Sequence, residues 1–220
     1  MRASIIIAGG CAAATRLAIV APSGDCGVLW HSRQMAQKAT VCKAAVQLAD
    51  VDRSIYADHL VTLARHPSET DERMMIRLLA FALNVPADDH GGTLDFAKGM
   101  WEPEEAELWQ KDLTGRLVHW IEVGQPEERR LVKASGRADK VSVYAFSHGA
   151  PAWWAGISAR VGRAGNVDAW LVPSEQSREL ALLAQRNMQL QINRQDGIVW
   201  IADGARSVEV HPRRLSMPPA

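Results

Sequence analysis

The sequence predicts a mixed α/β domain in which helices flank a mixed β-sheet and a β-meander closes the carboxyl end. Three observations carry that prediction. Strand-like and helix-like patterns alternate from residue 40 to residue 185, as they do where helices cover a sheet. Residues 116–123 are apolar apart from the ends, His119 and Glu122, which is how a central strand covered on both faces reads. Three further strand-like runs, residues 188–193, 198–202 and 207–210, are joined at Asp196-Gly197 and Asp203-Gly204, the turn chemistry of hairpins.

The elements follow in order. Residues 40–49 alternate, with Cys42, Ala44, Val46 and Leu48 on one face and Lys43 and Gln47 on the other, giving a half-buried strand ended by the turn Asp50-Val51-Asp52. Residues 58–65 read as a second strand. Pro67-Ser68 then announces a helix over residues 69–83, with Ser68 as N-cap and Asp71 returning the hydrogen bond in an Asp variant of the capping box. Met75, Ile76, Leu79 and Ala82 form its core stripe, and Arg73 and Arg77 fall elsewhere on its surface. Asn84 and Pro86 stop it. A polar loop over residues 88–92 leads to a short strand at 93–97, and residues 104–109 read as a helix. Asp112-Leu113-Thr114-Gly115 is a turn before the central strand. Pro126 opens the next helix, where Glu127 and Glu128 in the first turn and Lys133 and Arg137 later match the helix dipole. A strand at 141–146, a helix through Trp153-Trp154, a strand at 167–172 and a helix at 174–185 complete the alternation.

Residues 1–34 differ from this pattern. Ala8-Gly9-Gly10-Cys11 resembles a lipoprotein cleavage site, but the apolar run Ile5-Ile6-Ile7 is far shorter than the ~7–15 residues of a secretory segment. The expectation is therefore a poorly structured extension over 1–34 upstream of a start at Met35, one domain over 35–212, and a frayed tail at 213–220.

Composition narrows the function. Of the 220 residues, 25 are Lys or Arg and 25 Asp or Glu, so no global positive field draws the chain to nucleic acid or an anionic membrane, and any such site is local. Cys11, Cys26 and Cys42 make an odd set without a C-x-x-C, which argues against a zinc knuckle or a disulfide framework and for a reducing, cytoplasmic location. No Walker loop, G-x-G-x-x-G, G-x-S-x-G or H-x-x-x-H is present, and no apolar run approaches the ~18–20 residues of a spanning helix. A monomer is expected.

The chemistry-bearing candidates centre on Glu122, because an acid near the end of a buried strand must be paired, protonated or bound to a cation. Asp112, Glu72 and Asp95 are the acids that could converge on it as an oxygen cage for Mg²⁺ or Mn²⁺. Each also has an ordinary role: a salt bridge for Glu122, an Asx-turn for Asp112, dipole matching for Glu72. On the following helix Arg129, Arg130, Lys133 and Arg137 share an arc of about 100°, either a solvated face or a grip for phosphate. His119 lies on the opposite face of the strand from Glu122 and cannot share its ion. Trp120 and Trp153-Trp154 sit inside periodic elements, where aromatics pack cores more often than they stack on bases.

Three strings, Arg65-His66-Pro67-Ser68-Glu69-Thr70-Asp71-Glu72-Arg73-Met74-Met75, Trp120-Ile121-Glu122-Val123-Gly124-Gln125-Pro126-Glu127-Glu128-Arg129-Arg130 and Gln195-Asp196-Gly197-Ile198-Val199-Trp200, resemble the YaeQ family of small bacterial proteins. The resemblance runs from Met35 onward. It implies a variant of the PD-(D/E)XK, restriction-endonuclease-like fold, with a metal-binding acid, a second acid and a lysine on the core sheet. Here the acid-to-lysine slot reads Glu122-Val123-Gly124, so the lysine is missing, and Lys133 or Arg130 is the expected substitute. Two functions follow as expectations. One is metal-dependent phosphodiester hydrolysis with Glu122 and Asp112 as ligands, Glu72 as third ligand or base, and Lys133 as stabiliser. The other is a nuclease-like fold that no longer cuts and binds nucleic acid or a protein, in a role connected with transcription.

Overall fold

A computed structural model describes residues 39–88, 90–102 and 104–215. The expected extension at 1–34 and the start at Met35 lie outside the described residues. The fold is mixed α/β, but its described residues form two sheets where the sequence suggests one. The first sheet has the order β10-β9-β8-β1-β2, from β1 (Thr40–Asp50), β2 (Ile55–Arg65), β8 (Asn187–Gln195), β9 (Ile198–Ala202) and β10 (Ser207–Val210). The second has the order β11-β7-β6-β5-β4-β3, from β3 (Leu94–Phe96), β4 (Leu108–Lys111), β5 (Leu117–Val123), β6 (Lys140–Ala145), β7 (Val167–Leu171) and β11 (Arg213–Arg214).

The meander is present, and Asp196 and Gly197 turn it with φ of 54° and 76°, as a two-residue hairpin requires. Its first strand, β8, lies parallel to β1, with Lys43 opposite Asn187. In the second sheet β5, β6 and β7 are parallel and β3, β4 and β11 are antiparallel to their neighbours. β11 corrects the expected tail: residues 213 and 214 pair with Leu171 and Trp170.

Among the described residues four α-helices cover the sheets: α1 (Asp71–Asn84), α2 (Glu128–Ser135), α3 (Ala150–Val161) and α4 (Ser174–Ala181). α1 is buried on nearly every side, from Met74 through Ala82, Arg77 included. One apolar core joins it to Ala44, Val46 and Leu63 of the first sheet and to Leu108, Ile121 and Val123 of the second. A second core, on the other face of β5–β7, holds Trp120, Val141 and Val143 against Leu131 of α2 and Trp154 of α3.

Two local expectations are corrected. The N-cap of α1 is Thr70, whose hydroxyl accepts the Arg73 N–H at 3.2 Å, and not Ser68, whose own N–H turns to His66 Nδ1. Residues 104–109 do not form a helix. Glu105, Ala106, Glu107 and Leu108 have helix propensity, but the Asp112–Gly115 turn folds this stretch back onto β5, and Leu108 pairs with Ile121.

Candidate functional site

β5 alternates its side chains between the two cores. Trp120 and Glu122 face α2 and α3, whereas Ile121 and Val123 face α1. His119 points to the α1 side, away from Glu122, and shares a 2.9 Å hydrogen bond with Ser142 Oγ. Burial pulls the His119 imidazole down to about 3, helped by nearby Lys140, so it stays neutral at physiological pH.

Glu122 is buried, and its carboxylate is occupied. Oε1 accepts the Trp120 indole N–H at 2.7 Å and the Arg130 Nε–H at 2.8 Å. Arg130 reaches it from the first turns of α2 and also donates Nη2 to the Glu105 carbonyl at 2.6 Å. Burial raises the Glu122 pKa, Arg130 and Trp120 pull it back, and the charge of Glu107 pushes it up again.

That second acid is one the sequence reading misses. Glu107 precedes β4 and is buried, with Oε1 held by Arg73 Nη2 and Oε2 at 3.5 Å from Arg77 Nη1. Arg77 turns its Nε to Glu69 Oε1 at 2.9 Å, and Glu69, also buried, accepts the His66 N–H at 3.3 Å. Burial raises the Glu69 pKa against the pull of Arg77. Three carboxylates, Glu69, Glu107 and Glu122, thus face three guanidiniums, Arg77, Arg73 and Arg130. The cluster is charge-balanced.

Arg73 stands close to the position where the resemblance implies a lysine. Its Nη1 donates to the Val123 carbonyl at 2.7 Å, at the end of β5. Gly124 follows with φ of 96°, and a Cβ there would stand 2.8 Å from that same Nη1. A lysine at this position needs both a left-handed backbone and space that Arg73 fills. The cations beside the strand end are Arg73 of α1 and Arg130 of α2, whereas Lys133 is paired with Glu104 instead.

The other expected ligands do not converge on Glu122. Asp112 is exposed in an Asx-turn, accepting N–H groups of Thr114 at 2.8 Å and Arg116 at 2.9 Å. The Thr114 hydroxyl, first, and these backbone bonds hold its pKa below the usual value. From Arg116 to Glu122 the strand runs six residues, or about 20 Å, far beyond the ~2.0–2.6 Å that a shared ion demands. Asp95 is exposed on β3, two strands away, and accepts from Thr93 Oγ1 at 3.1 Å. Glu72 accepts the Ser177 hydroxyl of α4. Lys133 is paired with Glu104. Among the described residues no group of three or more His, Cys, Asp or Glu could hold a metal ion. Mg²⁺ or Mn²⁺ does not fit, because each acid of the buried cluster already faces a guanidinium.

The basic arc of α2 is real but divided. Arg130 turns inward to Glu122, while Arg129, Lys133 and Arg137 are exposed around a cavity of about 370 Å³ that reaches down to Trp120. The Arg137 guanidinium lies 5.1 Å from the Trp120 ring centroid and donates to the Glu104 carbonyl at 3.1 Å. Glu104 and Glu127 stand at the same cavity, so two acids face four cations.

Comparison with known proteins follows the same bounds. The family described as YaeQ protein matches residues 35–212. Over 178 residues the chain is 39% identical to the uncharacterized protein YaeQ of Escherichia coli K12, covering 80% of this chain and 96% of that protein. It is 40% identical over 177 residues to the protein of the same name from Salmonella typhi, covering 80% and 95%. The crystal structure of YaeQ protein from Xanthomonas axonopodis pv. citri superposes with a TM-score of 0.76 at 40% identity, covering 82% of this chain and 100% of that one. The YaeQ structure from Pseudomonas syringae gives 0.75 at 33% identity, covering 82% and 97%.

Proposed function

The chain belongs to the YaeQ family, and from that premise we propose that it is a cytoplasmic factor that binds nucleic acid along the basic face of α2 without cutting it. The observation that carries this reading is the Arg130 to Glu122 pair at 2.8 Å. A PD-(D/E)XK hydrolase needs surplus negative charge at the end of its core strand to hold Mg²⁺ or Mn²⁺. Here three guanidiniums cancel three carboxylates. The order α1-β3-β4-β5-α2-β6, with β5 parallel to β6, is compatible with a restriction-endonuclease-like core. A scaffold of that kind, stripped of its surplus charge, retains the cationic surface beside the strand end.

Arg129, Lys133 and Arg137 are the exposed cations of that surface. Trp120 is only 2% exposed, too covered to stack on a base, so recognition is of the phosphate backbone and not of sequence. Fluorescence anisotropy with labelled single- and double-stranded DNA and RNA tests the reading. Binding should weaken as salt rises, and replacing Arg129 and Lys133 together by Ala should lower the salt slope by roughly 1 for each phosphate the variant no longer grips. No binding at low salt refutes it. Calorimetry with Mn²⁺ on wild type and Glu122→Gln provides the other arm, since metal binding that disappears in the variant restores hydrolysis.

A further inference from the structure

Among the described residues the two sheets end in four edge strands, and three of them are short: β10 has four residues, β3 three and β11 two. The fourth is β2, with eleven. Long edges are normally blunted by lysine, proline or a bulge. β2 has none of these. Its register with β1 runs unbroken from Arg65 to Ile55, it contains no Pro or Lys, and Leu60 at its centre is 90% exposed, with Tyr56 at 67%. Among the described residues no strand pairs with its open edge.

The backbone of β2 fixes which groups are unpaired. The Lys43 and Val51 N–H groups bond to the Arg186 and Arg194 carbonyls, so odd-numbered residues of β1 serve β8 and even-numbered ones serve β2. Their β2 partners, Leu63, Val61, His59, Ala57 and Ile55, are odd. Residues 56, 58, 60, 62 and 64 therefore turn N–H and C=O to the open edge, where only the Ala64 carbonyl is already engaged, accepting from Arg77 Nη2 at 3.2 Å.

We propose that this edge pairs with β2 of a second copy, antiparallel across a two-fold axis at Leu60, to make a continuous ten-stranded sheet. The strand is self-complementary in that register. Residue n meets residue 120 − n, so Leu60 meets Leu60, Asp58 meets Thr62 and Tyr56 meets Ala64. Every open-edge residue then faces another open-edge residue, closing about eight hydrogen bonds beside the two Ala64 carbonyls that Arg77 already holds. No like charges lie opposite each other, and the two Leu60 side chains bury one another. On the inner side, Val61 of the second copy, opposite His59, overhangs a groove of about 720 Å³ whose lining joins Phe81, Val85, Leu94 and Phe96 to Asp88 and Asp95. Open space also flanks residues 60–62 on the other side. The contact is isologous and closes at two copies.

Sedimentation velocity of the full chain over a concentration series tests the pairing. Wild type should dimerise with a Kd below about 100 μM. Leu60→Lys sets like charges on the axis, and Thr62→Pro removes an open-edge N–H. Each should weaken the dimer at least about tenfold while the far-UV circular dichroism stays unchanged. Oxidation supplies an independent reading in a chain whose Cys11 and Cys26 are replaced by Ser. Leu60→Cys should cross-link to itself, since directly opposed residues lie about 5.5 Å apart. Asp58→Cys, about 13 Å from its counterpart, should not. A wild-type chain that stays monomeric refutes the pairing and leaves the edge to a strand from another protein. So does a dimer that survives both variants, or cross-linking equal at positions 58 and 60.

Discussion

Replacing Arg130 by Leu strands the buried Glu122 carboxylate, and the cost depends on pH in a way that tests the pairing directly. Breaking a buried ion pair from one side costs about 3–5 kcal/mol. Arg130 keeps 25% of its side-chain exposure, and the Trp120 N–H still bonds Glu122, so the lower end applies, about 3 kcal/mol at pH 8. For a domain of this size that lowers Tm by about 6–12 °C. In wild type the folded-state pKa of Glu122 lies above its ordinary value of 4.5. Its contribution to stability is therefore complete below pH 4.5 and declines as pH rises through the folded pKa. Without Arg130, the largest influence that pulls this pKa back, the folded pKa climbs further and the decline reaches higher pH. The gap between wild type and variant should be widest at pH 8 and narrow toward pH 5, as followed by urea denaturation with tryptophan fluorescence. Arg130→Leu combined with Glu122→Leu should recover most of the loss, because no charge is left buried. A loss independent of pH, or a double variant less stable than the single one, refutes the reasoning.

Gly124→Ala should cost about 2 kcal/mol, read as a shift in urea midpoint, because it combines a left-handed backbone with a methyl 2.8 Å from Arg73 Nη1. His119 should show no protonation by NMR down to about pH 4, its folded pKa being about 3. Since that value is depressed from 6.5, wild-type stability should fall as pH drops below 6.5, and His119→Gln should remove its share of that slope.

Local signals in the sequence were strong where structure is local. The alternation in β1, the dipole-matched charges of α2 and the Asp196-Gly197 turn each identify an element without knowledge of its neighbours. Partition into two sheets has no local signal, since β1 and β8 meet across 144 residues. α1 misleads for a related reason. A helical wheel assigns one face to a core, but this helix lies in a core joined to both sheets, so Arg73 and Arg77 are turned inward and must find acids there. Glu107 was hidden by the helix propensity of its neighbours, although the Asp112–Gly115 turn before an apolar strand already marks a hairpin with a strand ahead of it. Burial of Glu122 was legible from β5 alone. Its partner was not, because four basic residues share the arc of α2 and only the folded structure shows that Arg130, held also by the Glu105 carbonyl, is the one turned inward.

The parallel alignment of β1 with β8 sets the order in which this molecule can mature. On the ribosome β1 and β2 emerge early, and a two-stranded hairpin is marginal on its own. The stripe Cys42, Ala44, Val46 and Leu48 stays partly uncovered until the chain has been extended past residue 187. Native assembly is then a late, long-range event of the slow-folding kind. Through most of synthesis the nascent polypeptide presents a sticky ribbon that chaperones have reason to hold.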